Sequence, residues 1–205
     1  MPPSNLVLRE NAGINVLTET DGGTVRLTGQ NIAIADSLIS AGIGAGAEGT
    51  QAGSLLVRAD NRFDQVGGRL ENNVNAGAQG NSGNIDIRAA TVAFTQAIAS
   101  TSYLGSRPAL DFAGDVEVQA TQTLTLRDSR LESNGFLGRV RIAGGEIAVQ
   151  DSQLRATSTT DAIGEGQFNV VQMRAGATWF DRHRRQHQQS GIGVCRGMCV
   201  LDAGG

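Results

Sequence analysis

The sequence predicts an all-β chain, a right-handed parallel β-helix (a solenoid) of about six coils of 24–31 residues, on three observations. A glycine-led segment recurs along the chain. Within each copy, apolar and polar residues alternate in short runs. Polar stretches of Gly, Ala, Asn and Gln, unequal in length, separate the copies.

The glycine-led segments begin at Gly23 (GTVRLTGQNIAIADSLIS), Gly53 (GSLLVRADNRF), Gly83 (GNIDIRAATVAF), Gly114 (GDVEVQATQTLTLRDSRLES) and Gly138 (GRVRIAGGEIAVQDSQLRA). A weaker copy, GQFNVVQMRAG, starts at Gly166, and the opening LVLRENAGINV matches the second half of a preceding unit. Such self-similarity at a fixed period marks a repeat architecture. After each glycine comes an apolar pair at alternate positions: Val25/Leu27, Leu55/Val57, Ile85/Ile87, Val116/Val118 and Val140/Ile142. The alternation returns at Ile32/Ile34, Val92/Phe94, Leu124/Leu126 and Ile147/Val149, and a third apolar position follows a turn at Ile39, Leu70, Ile98, Leu131 and Leu154. Period-two alternation buries one face of a strand and solvates the other. Three short strands per unit, with no room for a helix between them, describe one coil of a triangular helix. Each strand then pairs in parallel with its equivalent one coil on, and Ile87, Val118 and Ile142 should stack in one column. A β-sandwich or propeller is the rival, and a propeller blade needs four strands per unit. The stretches AGIGAGAEGTQAG and NNVNAGAQGNSG lie between third and first strands and read as loops outside the stacked core.

Composition agrees. The 40% hydrophobic content is mostly aliphatic with 4% aromatic, and branched side chains suit a pleated face. Glycine, at 28 residues, is nearly double its usual share, whereas proline, at 3, is scarce, which excludes collagen-like and proline-rich disordered chains. Net charge is −3, all 17 basic residues are Arg, and no basic stripe argues for nucleic acid as a partner. No apolar run reaches the roughly 18 residues that span a membrane. The start, MPPSNLVLRE, lacks the features of a secretory signal. Both cysteines lie near the end, so the repeats do not depend on disulfides.

Three Asp-Ser pairs follow the second strand: Asp36-Ser37, Asp128-Ser129 and Asp151-Ser152. Asp and Ser there are expected to accept hydrogen bonds from nearby backbone N–H groups and fix the turn. Stacked one coil apart, about 4.8 Å, Asp128 and Asp151 have the alternative of sharing a Ca²⁺ or a proton. Against that, they hold equivalent repeat positions. Arg127, Arg130, Arg139, Arg141 and Arg155 read as outward residues offsetting the acidic turns, with an acidic-glycan contact as the alternative. The repeated glycines precede no helix and so form no phosphate loop. These residues predict no catalytic centre and no cofactor.

Residues 1–177 form the predicted repeat domain, and 178–205 a non-repeat tail expected to fray or cap the helix loosely. The tail holds the only Trp (Trp179), both histidines and both cysteines. His183, His187, Cys195 and Cys199 are ligand types for tetrahedral zinc, but Cys-x3-Cys is an unusual spacing and no metal is expected. A disulfide between the cysteines is the other option.

The unit Gly-Asn-Ile-x-Ile-x-Ala (Gly83 to Ala89), followed by Leu-x-Leu-x-Asp-Ser-x-Leu-x-Ser (Leu124 to Ser133), resembles the repeats of filamentous haemagglutinin-type adhesins exported by two-partner secretion, in particular long cyanobacterial versions. The resemblance covers roughly residues 5–175. It implies an extracellular, cell-surface, non-catalytic adhesive module whose partners are surface glycans or surface proteins of a host or neighbouring cell. The family's N-terminal secretion domain is not in this sequence and the rod is short, so the chain is expected to be a fragment or a truncated remnant. A β-helix polysaccharide lyase or glycoside hydrolase is the alternative, resting on fold analogy alone.

Overall fold

The computed structural model describes residues 4–20, 22–48, 50–105, 112–157, 170–181 and 192–196. Every regular element among them is a β-strand. In chain order, β1 (Asn5–Leu8) and β2 (Gly13–Thr18) open the molecule. The next coil holds β3 (Val25–Ala35), β4 (Leu38–Ile43) and β5 (Thr50–Gln51). Its successor holds β6 (Leu55–Val66), β7 (Arg69–Val74) and β8 (Gly80–Asn81). Then follow β9 (Ile85–Thr95) with β10 (Ile98–Ser102), β11 (Val116–Arg127) with β12 (Arg130–Asn134), and β13 (Arg139–Gln150) with β14 (Gln153–Thr157). Last come β15 (Val170–Asp181) and β16 (Ile192–Arg196).

The long strands join in the order β1-β3-β6-β9-β11-β13-β15-β16, the short ones in the order β14-β12-β10-β7-β4-β2, and β5 pairs β8. All pairs are parallel except β15 with β16. The chain is a parallel β-solenoid of about five turns, close to the six expected. Strand β15 runs through residue 177, and β16 lies antiparallel along it, covering the C-terminal edge of the long-strand sheet.

The expected first and second strands of each unit are one continuous strand. They bend at a register shift, between Gly29 and Asn31 in β3, Arg58 and Arg62 in β6, and Ala120 and Thr123 in β11. A bulge lets a strand turn a corner without ending its ladder. The three strands expected per unit are therefore two, and the short β5 and β8 are additional strands in the loops of two coils.

The core is a set of columns running along the solenoid axis. Ile87 opposes Val118, which opposes Ile142, and all are buried. Val25, Leu55, Ile85, Val116, Val140 and Val171 make a second column. Fully burying each such side chain contributes about 1.5–3 kcal/mol. One expected core residue is corrected. Ile98 opposes Arg69 and Arg130 on the outer side of β10, and Ala99 takes the inward place between Leu70 and Leu131. The turn residue Gln96, with φ of 51°, fixes the register so that Ile98 falls where Leu38 does, outside. After its bend, β6 turns Phe63 and Gln65 inward; Phe63 packs edge-to-face on Phe94, and Gln65 stands between Ile34 and Phe94.

The glycine that opens each unit has a steric cause. A Cβ on Gly83 would overlap the carbonyl oxygen of Gly53, and one on Gly114 that of Gly83. Successive coils approach here backbone to backbone. Beside this seam three buried polar side chains donate to carbonyls: Asn72 to Gly53 (2.7 Å) and Asn84 (3.2 Å), Thr101 to Gly114 (2.6 Å), and Ser133 to Gly114 (2.7 Å).

The polar stretches between third and first strands are not simply outside the core. Ile43, Ala47, Ala52, Val74, Ala78 and Tyr103 bury one another in a second small cluster. Backbone bonds tie one loop to the next: Asn75 N–H to Ile43, Gln79 N–H to Ala47 and Ala52 N–H to Asn81. The connections 44–54 and 75–84 differ by one residue, yet these bonds and the β5–β8 pairing stack one loop on the other.

Candidate binding surface

The Asp-Ser corner is one candidate. The sequence predicted that both residues accept backbone hydrogen bonds, and the structure divides that work. Asp36, Asp128 and Asp151 supply left-handed backbone, with φ of 46°, 48° and 48°. Asp tolerates that region better than most residues. The serines carry the ladder through the corner. The Ser129 hydroxyl donates to the Arg127 carbonyl (2.7 Å) and accepts from the Ala97 N–H (3.2 Å), and the Ser152 hydroxyl accepts from the Ser129 N–H (3.0 Å).

Outside the corner, Gln96, Asp128, Arg130, Asp151 and Gln153 line an open groove of about 390 Å³. Its carboxylates sit one coil apart in equivalent positions. No group of three His, Cys, Asp or Glu side chains converges among the described residues. Of the tail residues, His183, His187 and Cys199 lie outside the described residues, and Cys195 enters only as a backbone position of β16 opposite Val171.

The arginines that form ion pairs do not meet the Asp-Ser turns as expected; their carboxylate partners are on the strands or, for Asp115, just before one. Asp86 takes two bonds from Arg58 (3.0 and 2.8 Å) and two from Arg88 (3.1 and 3.2 Å). Arg69 pairs with Glu71 (3.1 Å), Arg130 lies 3.9 Å from Glu132, Arg141 is 3.3 Å from Asp115, and Arg62 pairs with Asp64. Four of these pairs join residues two apart on one strand, which places both side chains on the same outer face. Arg155 opposes Glu132 across the ladder, while Arg127 and Arg139 are exposed. Exposed pairs of this kind contribute about 0–1 kcal/mol each, so their effect is to neutralise the surface more than to hold the fold. Asp115 is the perturbed member. Burial pushes its carboxyl above the ordinary value, against the pull of Arg141 and Arg139, and nearby Glu117 adds to the rise.

The second candidate lies on the outer face of the long-strand sheet, across β11, β13 and β15. Glu117, Gln119, Arg141, Ala143, Gln172 and Arg174 border an open depression of about 170 Å³, floored by Val118 and Ile142. Glu117, Arg141 and Gln172 share one register column, and Gln119, Ala143 and Arg174 the neighbouring one. Three charged groups thus meet, but from two repeat positions rather than from unrelated parts of the coil. The depression exists because Ala143 stands where the neighbouring coils carry Gln119 and Arg174. A sequence reading that tracked only apolar positions had no reason to notice an outward alanine.

Among the described residues no helix is long and apolar enough to cross a membrane. No family model, curated protein or solved structure matches this chain.

Proposed function

We propose that the chain is a structural and adhesive module of the cell surface, a non-catalytic segment of an exported filamentous haemagglutinin-like adhesin that presents loops along a rigid rod. The carrying observation is the second small core. It turns the loops of successive coils into an ordered surface at one corner, built on a ladder that continues from the strands. Surface glycans, or proteins of a host or neighbouring cell, are the partners.

The test is a screen of the purified chain for glycan and cell-surface binding, run beside an assay for glycan breakdown. Binding without turnover is expected. Release of reducing ends or unsaturated sugars, abolished by Asp128→Ala or Asp151→Ala, would replace the adhesive reading with that of a polysaccharide-cleaving enzyme.

A further inference from the structure

We propose that the depression across β11, β13 and β15 is a binding site for one carboxylate-bearing sugar residue of an acidic glycan. This deepens the adhesive reading and rests on it. Three observations carry it.

The repeat is interrupted here and the interruption makes room. Along one outer column the residues run Thr28, Arg58, Arg88, Gln119, Ala143 and Arg174. A methyl group in the fifth place leaves the backbone of β13 open between two long polar side chains. With strands about 4.8 Å apart, the gap from β11 to β15 spans about 10 Å along the axis, long enough for a sugar ring lying on the floor.

The charges differ from those of the preceding coils. There, Arg58 and Arg88 are both committed to Asp86. In the depression, Arg141 is held by Asp115 and Glu117 is bonded by Gln119, but Arg174 is exposed and makes no ion pair among the described residues. A guanidinium left without a carboxylate offers a fork of donors that fits a carboxylate on a ligand.

The rest of the rim suits hydroxyls. Glu117 is an acceptor, and Gln119 and Gln172 each donate and accept. A ligand that only carries negative charge, such as a phosphate cluster, is repelled by Glu117. A ring with several hydroxyls and one anionic group satisfies both ends. Among the described residues, no aromatic side chain lines the depression to stack a nucleobase.

The experiment titrates the full chain with trigalacturonic acid, with neutral galactotriose and with a sulfated trisaccharide, by calorimetry at low and physiological salt. Trigalacturonic acid is expected to bind, and the neutral sugar to bind at least about tenfold more weakly, the loss that one charge-assisted hydrogen bond implies. Arg174→Gln should weaken binding by a similar factor. So should Ala143→Gln, which fills the gap with the residue the preceding coil already carries and so leaves the fold intact. Arg62→Gln, on another part of the surface, should not weaken it. Equal binding by both variants and the wild type overturns the proposal, as does equal weakening by Arg62→Gln, which means diffuse charge attraction. Tighter binding of the sulfated sugar overturns the carboxylate assignment. Absence of any trigalacturonate binding defeats this site, while a different glycan captured in the wider screen leaves the adhesive module standing.

Discussion

Two corners of the coil solve the same problem differently. Between the second and third strand positions the connection is two residues long in five successive coils, 36–37, 67–68, 96–97, 128–129 and 151–152, and longer only in the first, 9–12. Between the third strand and the next coil it varies from 135–138 to 103–115. The short corner has no slack, so one left-handed residue must turn the chain and a side chain must bridge the interrupted ladder. Asp, Gly or Gln does the first; serine does the second where it is present. The long corner has slack but needs a fixed point of return. That point is the glycine seam, where only a residue without Cβ lets the coils meet. The path is therefore set by local hydrogen bonding at one corner and by a single steric restraint at the other.

The largest expected effect attacks the seam. Gly83→Ala drives a methyl into the Gly53 carbonyl and should lower stability by about 3 kcal/mol or more. A denaturation midpoint unchanged from wild type would mean the coils can separate there, and the contrast between the corners would collapse. At the short corner, Ser129→Ala removes the acceptor for the buried Ala97 N–H and should cost about 1–2 kcal/mol by the same measurement. Asp128→Gly should stay within about 1 kcal/mol of wild type, because Gly67 already holds the equivalent turn. A large loss would instead assign the Asp side chain a bonding role.

The smallest effect concerns Asp115, in the long connection that ends at β11. Its carboxyl, raised by burial, holds a proton more tightly in the folded chain than in the unfolded one. Its contribution to stability is then fullest below the ordinary carboxylate range and lost as pH rises through the raised value. Comparing thermal midpoints of wild type and Asp115→Asn across that acid window should show the wild type losing ground as pH increases. The opposite slope would mean that Arg141 and Arg139 outweigh burial.

The seam, the columns and the parallel pairing were legible because they repeat. A glycine followed by Val25/Leu27 is weak evidence once and strong evidence five times over. What escaped was whatever each coil does only once or hides behind a polar letter. Gln65 sits fully buried between Ile34 and Phe94, a place that alternation assigns to an apolar residue, and its side-chain oxygen has no partner among the described residues. Ile98 looked like core because it is apolar, yet the turn at Gln96 fixes its side of the sheet. The loop cluster was hidden because alanines at Ala47 and Ala78 resemble a low-complexity linker until one coil is laid on the next. The depression at Ala143 depends on an absence of side chain, which composition does not register.

The bulge at the bend of each long strand bears on how such a chain tolerates insertion. From Leu27 to Ile32 and from Ile87 to Val92 the inward positions are separated by one residue fewer than from Val57 to Phe63 or Val118 to Leu124, yet all of these side chains face the core. An odd change of length would ordinarily turn every later side chain to the opposite face. Here the bend absorbs it, and the apolar alternation resumes in phase. The bend is thus a place where sequence length varies by one residue from coil to coil without turning the downstream side chains away from the core.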